Sequence, residues 1–490
     1  MSRSLTLNIL LLFALALLGH LLFFVGFIAS DDGIYLAQAQ QYLSGDLSPP
    51  TEHWGFRYTI VIPLTLLGMF GDFSSQLLAL VPLAYWLALI ALTAWFMQRL
   101  YGAREAWLAG LLVATSPLFV VQSSILGVDI TEAFYLFAGF VVFYLAESAP
   151  EPDWKRYFLA GALVGLAMLS RETAYGMLLV LGVCWLVFGR SRLLLYLAGL
   201  AGVAAVLSIE WSYYLIFDQA PWYRIETITQ SHGTVGGISG DFTGGSGNVS
   251  DNRWLAPILS LLVNQEFALH FWVGLAALVV VMRKPDHVQP QLLRYLLLAC
   301  LVYFLWLGYA GAIRPLPRYF AFLLVLCAIP MAVMLAGLSR SWLRYLLVLA
   351  LVGSNVLALS VENRYPRYAA LAISEFIVEQ QTEVVASSDI EHRVRAYLRL
   401  NGVDTGRVRE QAPAGQSYLL AVVEGKDEIP PTLAPHLQPA NLVADLPPPK
   451  LLIGQILDIT GVGGLLPQQL YHKLAIRNPT VKIYRLPPAA

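Results

Sequence analysis

The sequence is poor in charged residues. Only 13% of its 490 residues are Asp, Glu, Lys or Arg, whereas 57% are hydrophobic. Soluble globular proteins carry about 25% charged residues, so this shortage excludes an ordinary soluble enzyme and a disordered chain. The 31 basic residues are balanced by 32 acidic ones, and the chain therefore lacks the basic field that holds nucleic acid. The composition indicates a protein that crosses the membrane many times.

Cysteine is scarce as well, and no half of the chain repeats the other. Cys184, Cys300 and Cys327 are far apart, form no CxxC motif and lie in apolar stretches. This spacing excludes a disulfide framework and a metal site built on thiolates. The missing repeat counts against a transporter built from inverted repeats.

Long apolar stretches are abundant. A helix needs about 20 apolar residues to cross the hydrocarbon core, and about eleven stretches approach this length. The first is longer than the apolar core of a cleaved signal peptide, about 7–15 residues, and is predicted to remain as a signal anchor. The predicted spans are 5–29, 75–98, 105–123, 130–148, 157–170, 173–189, 193–217, 265–282, 292–312, 319–338 and 343–361.

Lysine and arginine cluster at alternate ends of these spans, which sets the predicted orientation. Cytoplasmic loops carry the excess of basic residues, and here most of those before residue 362 are Arg3 and the residues near 99–104, 155–156, 190–192, 283–294 and 340–344. An odd number of spans then places the N-terminus in the cytoplasm and the C-terminal region outside. Membrane-buried cysteines and the lack of a retention signal favour a bacterial inner membrane, with the periplasm as the outer side.

Three regions on the outer side differ from the spans. The first outer loop, 30–74, contains the apolar stretch Tyr58–Phe70, which is too short to span and is predicted to form an interfacial or re-entrant helix. The loop 218–264 contains a glycine-rich stretch, 233–250, that is predicted to be mobile. Residues 362–490 return to a soluble composition.

The last region alternates helix-like and strand-like stretches, namely AALAISEFIVEQ, VVASS, HRVRAYLRL, SYLLAVVE and VKIYRL. Such alternation indicates a small α/β domain. The predicted fold is therefore mainly α, with a polytopic transmembrane module over 1–361 and a C-terminal α/β extracytoplasmic domain over 362–490.

Carboxylates stand where two spans meet the outer interface. Asp31 and Asp32 follow the first span and open a short amphipathic helix, and Asp129 opens the fourth span. Each could simply cap its helix, and Asp129 with Glu132 fits a capping box. Their recurrence on one side of the membrane favours a functional site, with Asp31, Asp32 and Asp129 as candidate catalytic residues.

Arginines supply the opposite charge on the same side. Arg57 lies in the first outer loop, Arg318 starts the tenth span, and Arg171 with Glu172 falls between two apolar segments too close together for a true loop. An ionisable pair at that depth suggests a functional site. The alternatives are an Arg171–Glu172 or interhelical salt bridge and, for Arg318, contact with lipid headgroups. Glu210, near the outer end of the seventh span, could pair with one of these arginines.

This combination of groups suits one kind of chemistry. Arginine holds phosphate through paired, charge-assisted hydrogen bonds, and a carboxylate can take the proton from an attacking hydroxyl. Together they fit a transfer from a phosphate-linked lipid to an acceptor outside, where nucleotide donors are absent. His53 has no partner at metal-ligand spacing and is predicted to be a surface or substrate contact.

These motifs follow one another in a characteristic order. They are Asp31-Asp32 with the helix 34–45, Phe56-Arg57-Tyr58 with Pro63 and Phe70-Gly71-Asp72, Asp129 before AFYLFAGFVVFY, Arg171 in GLAMLSRETAYGMLLVLG, and Arg318-Tyr319-Phe320 with Pro330. Over residues 5–340 this order resembles the GT-C-type glycosyltransferases, in layout the protein O-mannosyltransferases and the aminoarabinose transferases of lipid A. Ile34 and Tyr35 depart from the pattern, since the lipid A enzymes have a further basic residue there.

The resemblance implies a GT-C-like fold and a glycosyltransferase that uses a polyprenyl-phosphate sugar. The acceptor is a hydroxyl on a glycan, a lipid or a protein, and neither the acceptor nor the sugar is fixed by the sequence. By analogy Asp31 is the general base, while Asp32 and Asp129 orient the acceptor or the sugar hydroxyls. A single displacement would invert the anomeric centre.

By the same resemblance the arginines bind the donor phosphate, and polar residues near them contact the substrates. Some relatives use a divalent metal, which Asp31, Asp32 and Asp129 could ligate through oxygen, and the sequence leaves open whether this chain binds one. The expected partners are the donor, the acceptor and membrane lipids, and not nucleic acid. The predicted phosphate-binding residues are Arg57, Arg171 and Arg318, and the predicted substrate contacts are His53, Tyr58, Glu172 and Glu210.

Three alternatives remain open on the sequence. A transporter or flippase of lipid-linked glycans would carry its ionisable residues near the bilayer midplane, on broken helices. A polymerase or ligase of surface polysaccharide would be favoured by a long arginine-lined outer loop, whereas the loop here has only Arg224 and Arg253. For a non-catalytic scaffold, the clustering of arginines and carboxylates would be a coincidence.

Overall fold

The structure is a computed structural model. It describes residues 3–189, 192–234, 255–283, 289–309, 316–413, 415–425 and 433–488. The glycine-rich stretch 233–250, predicted to be mobile, lies outside these residues from position 235 onward.

Helices form most of the first 360 residues. Apolar segments of this length favour α-helices, because a helix satisfies its backbone polar groups within one segment. In chain order the helices are α1 Arg3–Leu22, α2 Asp31–Leu43, α3 Tyr58–Gly68, α4 Ser75–Leu100, α5 Ala103–Thr115, α6 Pro117–Gln122, α7 Asp129–Glu147, α8 Trp154–Ser170, α9 Gly176–Cys184, α10 Leu193–Ile216, α11 Tyr223–Thr234, α12 Ala256–Val263, α13 His270–Arg283, α14 Pro290–Tyr309, α15 Ala321–Ala336 and α16 Ser341–Ser360.

Eight helical segments among the described residues are long and apolar enough to cross a membrane. They correspond to eight of the predicted spans, and the prediction of a mainly helical integral membrane protein is confirmed; the count of eleven spans is not. The eight segments are Leu5–Leu22, Ser75–Leu100, Asp129–Glu147, Glu172–Gly189, Leu193–Ile216, Pro290–Tyr309, Pro317–Ala336 and Ser341–Ser360.

The three other predicted spans correspond to shorter helices. The span 105–123 is divided into α5 and α6, because Ser116 is extended and Pro117, which has no N–H to donate, begins the second helix. The span 157–170 forms α8, with 17 residues, and the span 265–282 contains α13, with 14 residues.

The chain divides into two compact units. The first comprises Met1–Phe24, Gln38–Met69 and Ala79–Leu359. The second comprises Val25–Ala37, Phe70–Leu78 and Ser360–Ala490. Two segments of the predicted first outer loop, including Asp31 and Asp32, thus belong to the same unit as the C-terminal residues.

Helix α15 lies at the centre of the first unit. All of its residues except Met334 are buried, and it packs against α5, α7 and α13. A 3₁₀ turn, Pro317–Phe320, precedes it and carries Arg318. Burial of α15 therefore fixes the position of this arginine.

Helices α7, α8 and α10 of the first unit pack closely together. Glycines allow α8 and α10 to approach: a Cβ at Gly161 would lie 1.8 Å from the Gly199 carbonyl oxygen, and one at Gly202 would lie 2.0 Å from the Phe158 carbonyl oxygen. Small residues at such crossings are typical of membrane helices. This packing fixes the C-terminal end of α8, where Arg171 follows.

The second unit contains a five-stranded mixed sheet. Its strand order is β2-β1-β3-β5-β4, with β1 parallel to β2 and β3, and β5 antiparallel to β3 and β4. The small C-terminal α/β fold predicted from the sequence is confirmed. Its elements are α17 Tyr368–Gln380, β1 Val384–Val385, α18 Ser388–Leu400, β2 Val408–Arg409, β3 Tyr418–Val423, β4 Leu442–Leu446, α19 Leu452–Ile459, α20 Gln468–Ala475 and β5 Val481–Leu486.

Candidate functional site

Helix α8 ends at a pair of charged residues. Arg171 is extended, with φ −162° and ψ 152°, and Glu172 begins a single 3₁₀ turn that leads into α9. Because the chain is extended at Arg171, consecutive side chains reach different partners. Arg171 and Glu172 pair with other residues and not with each other, contrary to one of the alternatives drawn from the sequence.

Arg171 lies in a buried cluster with Asp129, Glu132 and Arg318, which we call the Arg171 cluster. Arg171 Nη1 donates to Asp129 Oδ1 over 2.5 Å and lies 3.6 Å from Glu132 Oε2. Arg318 Nε lies 3.9 Å from the same Asp129 oxygen. The side chains of Arg171 and Asp129 are only 9% and 2% exposed, so this ion pair is almost fully removed from solvent.

The neighbours of the Arg171 cluster hold its members in place. The Arg171 guanidinium lies 4.3 Å from the centroid of the Tyr319 ring, a cation–π contact. Glu132 accepts hydrogen bonds from the hydroxyls of Thr173 and Tyr303. Asp129 is the first residue of α7, and Val128 stands at the N-cap position, so Asp129 and Glu132 do not form the capping box considered from the sequence. Both carboxylates face arginine instead.

Glu172, whose side chain is 23% exposed, lies in a second cluster with the buried residues Arg57, Arg224 and Glu210, which we call the Glu172 cluster. Glu172 Oε1 accepts from Arg57 Nη1 over 2.6 Å and from Arg224 Nη2 over 2.8 Å. Arg224 Nη1 also lies 3.3 Å from Glu210 Oε1, and Arg224 Nη2 donates to the Met168 carbonyl. The sequence suggested Arg57, Arg171 or Arg318 as a partner for Glu210, and this was wrong, since the partner in the structure is Arg224.

Two polar atoms of the Glu172 cluster are unused. The Nε atoms of Arg57 and Arg224 are buried and have no hydrogen-bond partner within the described part of the chain. Buried polar groups are nearly always satisfied in folded proteins, so two unsatisfied guanidinium donors in one cluster are available to a ligand oxygen. The ion pairs that Arg57 and Arg224 make with Glu172 fix where these donors are.

Tyrosines extend the Glu172 cluster. Tyr214 donates to Glu210 over 2.7 Å, and its hydroxyl lies 3.2 Å from that of Tyr58. Tyr58 and Tyr214 pack with Phe56 in a buried aromatic group. His53 is also buried, and its ring packs against Trp54 with centroids 3.6 Å apart.

Asp31 and Asp32 belong to the second unit and differ in their surroundings. Asp32 is buried and accepts the backbone N–H groups of Ile28 and Ser30 over 2.6 Å and that of Gly33 over 3.0 Å. Burial raises the pKa of Asp32 to about 6, although these N–H groups lower it. Asp31, the first residue of α2, is only partly buried. Asp32 is thus engaged in holding the backbone, while Asp31 is the more accessible carboxylate.

Asp32 and Asp129, two of the three carboxylates considered as metal ligands, already have other partners. Asp32 already accepts three N–H groups, and Asp129 faces the guanidinium groups of Arg171 and Arg318. Within the described ranges, no group of three or more His, Cys, Asp or Glu side chains is arranged to hold a metal ion. We therefore assign no step to a metal.

Sequence reasoning missed two members of these clusters. The sequence indicates Glu132 only as a possible capping partner of Asp129. It indicates Arg224 only as one of two arginines in the loop 218–264. A signal for Glu132 existed, since it lies one helical turn after Asp129 and so on the same face. No such signal existed for Arg224, because its partners are distant in the sequence.

Part of the chain matches a known family. Residues 57–214 match the model of the dolichyl-phosphate-mannose-protein mannosyltransferases. No curated protein sequence matches the chain. Six predicted site residues lie in the matched segment, namely Arg57, Tyr58, Asp129, Arg171, Glu172 and Glu210.

The fold is similar to solved membrane proteins over most of its length. ArnT from Cupriavidus metallidurans in the apo state is 19% identical, with a TM-score of 0.60 over 88% of this chain and 94% of that chain. ArnT bound to undecaprenyl phosphate is 17% identical, with a TM-score of 0.59 over 97% of both chains. AglB from Archaeoglobus fulgidus, an archaeal oligosaccharyltransferase in complex with an inhibitory peptide and a dolichol-phosphate, is 14% identical, with a TM-score of 0.53 over 80% of this chain and 63% of that chain.

The chain thus has the GT-C fold. The resemblance to the superfamily of protein O-mannosyltransferases and aminoarabinose transferases is confirmed by the fold and by the family model over residues 57–214.

Proposed function

We propose that this protein is a glycosyltransferase that moves a sugar from a polyprenyl-phosphate donor to an acceptor hydroxyl. The reaction takes place at the outer face of the membrane, which we assign to the periplasmic side of a bacterial inner membrane. The N-terminus is cytoplasmic and the C-terminal region is periplasmic in this assignment. The acceptor can be a glycan, a lipid or a protein.

The observation that carries this proposal is the pair of buried arginine clusters around residues 171 and 172. Ionisable residues buried in membrane proteins are costly and mark functional sites. Here Arg57, Arg171 and Arg224 are all buried and fixed by carboxylates. A guanidinium held in this way is ready to bind a phosphate oxygen without a further loss of side-chain freedom.

The similar structures support a lipid phosphate as the ligand. The crystal structure of ArnT has undecaprenyl phosphate bound, and AglB is in complex with a dolichol-phosphate. We assign Arg57, Arg171 and Arg318 to the donor phosphate. Asp129 orients Arg171, and Glu172 and Glu210 orient Arg57 and Arg224. His53 and Tyr58 contact the substrates.

The chemical step is a single displacement. The acceptor oxygen attacks the anomeric carbon, the bond from that carbon to the phosphate oxygen breaks, and the polyprenyl phosphate leaves with the bonding electrons. The hydroxyl proton passes to the Asp31 carboxylate, which acts as general base. The arginines stabilise the charge on the leaving phosphate, and attack opposite the leaving group inverts the anomeric centre. Asp31 is the base because both Asp32 oxygens already accept backbone N–H groups.

The direct test is transfer from labelled polyprenyl-phosphate sugars by the purified protein in lipid nanodiscs. Nucleotide sugars serve as the negative control donors, and an extract of the source cells provides acceptors. We expect label to be transferred by the wild type and lost by more than a hundredfold in Asp31→Asn, the scale of general-base catalysis. Asp46→Asn is the matched control, since Asp46 is an exposed carboxylate in the same outer loop.

Other results would contradict the proposal. Transfer that survives in Asp31→Asn would retain the reaction and refute Asp31 as the base. A wild-type protein that transfers nothing from any lipid-linked donor, but moves such lipids across liposome membranes, would be a flippase.

A further inference from the structure

Helix α18 of the C-terminal region packs against the segment that leads to Asp31. Both belong to the second unit. The Tyr397 hydroxyl donates to the Phe27 carbonyl over 3.1 Å, and the two rings are edge to face with centroids 5.3 Å apart. One turn earlier on the helix, Arg393 Nη1 lies 3.4 Å from the Ala29 carbonyl oxygen. A Cβ at Gly33 would lie 3.3 Å from Ala396 Cβ, so the contact continues into the start of α2.

The backbone of residues 27–33 is held from two sides. Asp32 accepts the N–H groups of Ile28, Ser30 and Gly33, whereas the carbonyls of Phe27 and Ala29 accept from α18. In this turn, residues 27–33, the N–H groups are thus bound by Asp32, and two of the carbonyls are bound by α18. Asp32 is part of the turn itself, but Tyr397 and Arg393 are more than 360 positions away in the sequence.

This turn needs external support. Ala29 has φ +50°, a left-handed conformation that costs free energy for a residue with a Cβ. Such conformations persist where the surrounding structure fixes them, and they are frequent at functional sites. Asp31 follows Ala29 by two residues, so any relaxation of the turn would move its carboxylate.

We propose that Tyr397 is a positioning residue for Asp31: its hydrogen bond to the Phe27 carbonyl, together with that of Arg393 to the Ala29 carbonyl, fixes the turn from which Asp31 projects. The C-terminal domain then takes part in the reaction by placing the base. The kinetic part of this inference rests on the proposed role of Asp31.

The charges and burial around Tyr397 agree with this role. Burial and the nearby Asp32 carboxylate raise the pKa of Tyr397, so its hydroxyl keeps its proton and remains a donor. Arg367, close to Arg393, also interacts electrostatically with Asp31. At least one charged group of the C-terminal region, Arg367, thus acts on Asp31.

The test compares Tyr397→Phe with Tyr368→Phe in the full-length protein in nanodiscs. Both changes remove one hydroxyl that donates to a backbone carbonyl within the second unit, but the Tyr368 hydroxyl bonds to Pro447. Tyr397→Phe keeps the ring that packs on Phe27. We expect amide hydrogen exchange over residues 27–33 to become about tenfold faster in Tyr397→Phe, the effect of one lost hydrogen bond, and to be unchanged in Tyr368→Phe.

Kinetics provide the second readout. We expect Tyr397→Phe to lower kcat about tenfold with an unchanged KM for the lipid donor, because the base is displaced and the phosphate site is intact. Arg393→Gln removes the other donor and should act in the same direction, which keeps the test decisive if Tyr397→Phe does not fold.

Each outcome has a defined meaning. Amide exchange over residues 27–33 that is unchanged in both Tyr397→Phe and Arg393→Gln overturns the inference. Faster exchange without a loss of kcat, in an enzyme that transfers sugar, overturns it as well. If the wild type transfers nothing, the proposed function fails, while faster exchange in Tyr397→Phe would still support the role of α18 in holding the turn.

Discussion

Buried arginine–carboxylate pairs dominate the chemistry of this protein at the scale of single residues. Removing a charge from water is expensive, and a buried pair is tolerated only when geometry and additional hydrogen bonds compensate. Asp129 and Arg171 meet this condition through Glu132, Thr173 and Tyr319. Loss of one partner leaves the other charge buried with only a longer ion pair, that of Arg171 with Glu132 or that of Asp129 with Arg318.

A double-mutant cycle on Asp129 and Arg171 tests this picture. We expect Asp129→Asn and Arg171→Gln each to destabilise the fold by up to about 3–5 kcal/mol, because the remaining buried charge keeps only a longer ion pair. The double variant should lose much less than the sum, with a coupling of about 1–3 kcal/mol. Thermal unfolding in detergent measures the effect.

The control cycle uses Asp153 and Arg156, a pair 3.2 Å apart whose side chains are 38% and 49% exposed. Its coupling should stay below about 1 kcal/mol, as for exposed ion pairs. Equal couplings in the two cycles would show that burial of the Asp129–Arg171 pair has no energetic consequence.

The charged residues of the two clusters could in part be picked out from the sequence, whereas their pairing could not. Asp129, Arg57, Arg171 and Glu172 are recognisable because ionisable residues are rare in apolar sequence. Their actual pairs join positions 42 and 115 residues apart. No local pattern encodes such pairs.

At the scale of elements, the close approach of α8 and α10 positions the end of α8, where Arg171 and Glu172 follow. Gly161 and Gly202 leave no room for a Cβ, since carbonyl oxygens of the facing helix lie within 2.0 Å of where one would be. Because lipid provides no hydrophobic driving force for helix association, close packing stabilises the contact between α8 and α10. The end of α8, and with it Arg171, depends on this crossing.

Gly202→Ala should therefore be destabilising. The new methyl group would meet backbone atoms that cannot rotate away, and we expect a loss of about 1–3 kcal/mol or more. Gly182→Ala in α9 is the control, since nothing lies within 4 Å of its Cβ position, and it should be neutral or slightly stabilising through helix propensity. The thermal unfolding midpoint and the yield of folded protein are the measurements; a Gly202→Ala variant as stable as Gly182→Ala would refute the close crossing.

At the scale of the whole molecule, the predicted orientation in the membrane is testable. Basic residues at alternate ends of the spans place the loop between α7 and α8 in the cytoplasm and the C-terminal region outside. Glu151 and Glu410 are exposed residues of these two regions. The native cysteines lie within apolar helices.

We expect Glu410→Cys to react with a membrane-impermeant maleimide in intact spheroplasts, and Glu151→Cys to react only after permeabilisation. The wild type, with its three native cysteines, gives the background. The reversed pattern would place the C-terminal region in the cytoplasm and contradict the proposed outer site.

The sequence by itself determined the eight helical segments long enough to cross a membrane, the C-terminal α/β region and the residue types at the candidate site. Hydropathy, periodicity and charge are local properties, and they are read over 20 residues or fewer. Only the tertiary structure decided which carboxylate faces which arginine, that Arg224 joins the Glu172 cluster, and that Asp32 holds a turn while Asp31 is left more accessible. These arrangements depend on how distant helices pack, and packing is a property of the whole chain.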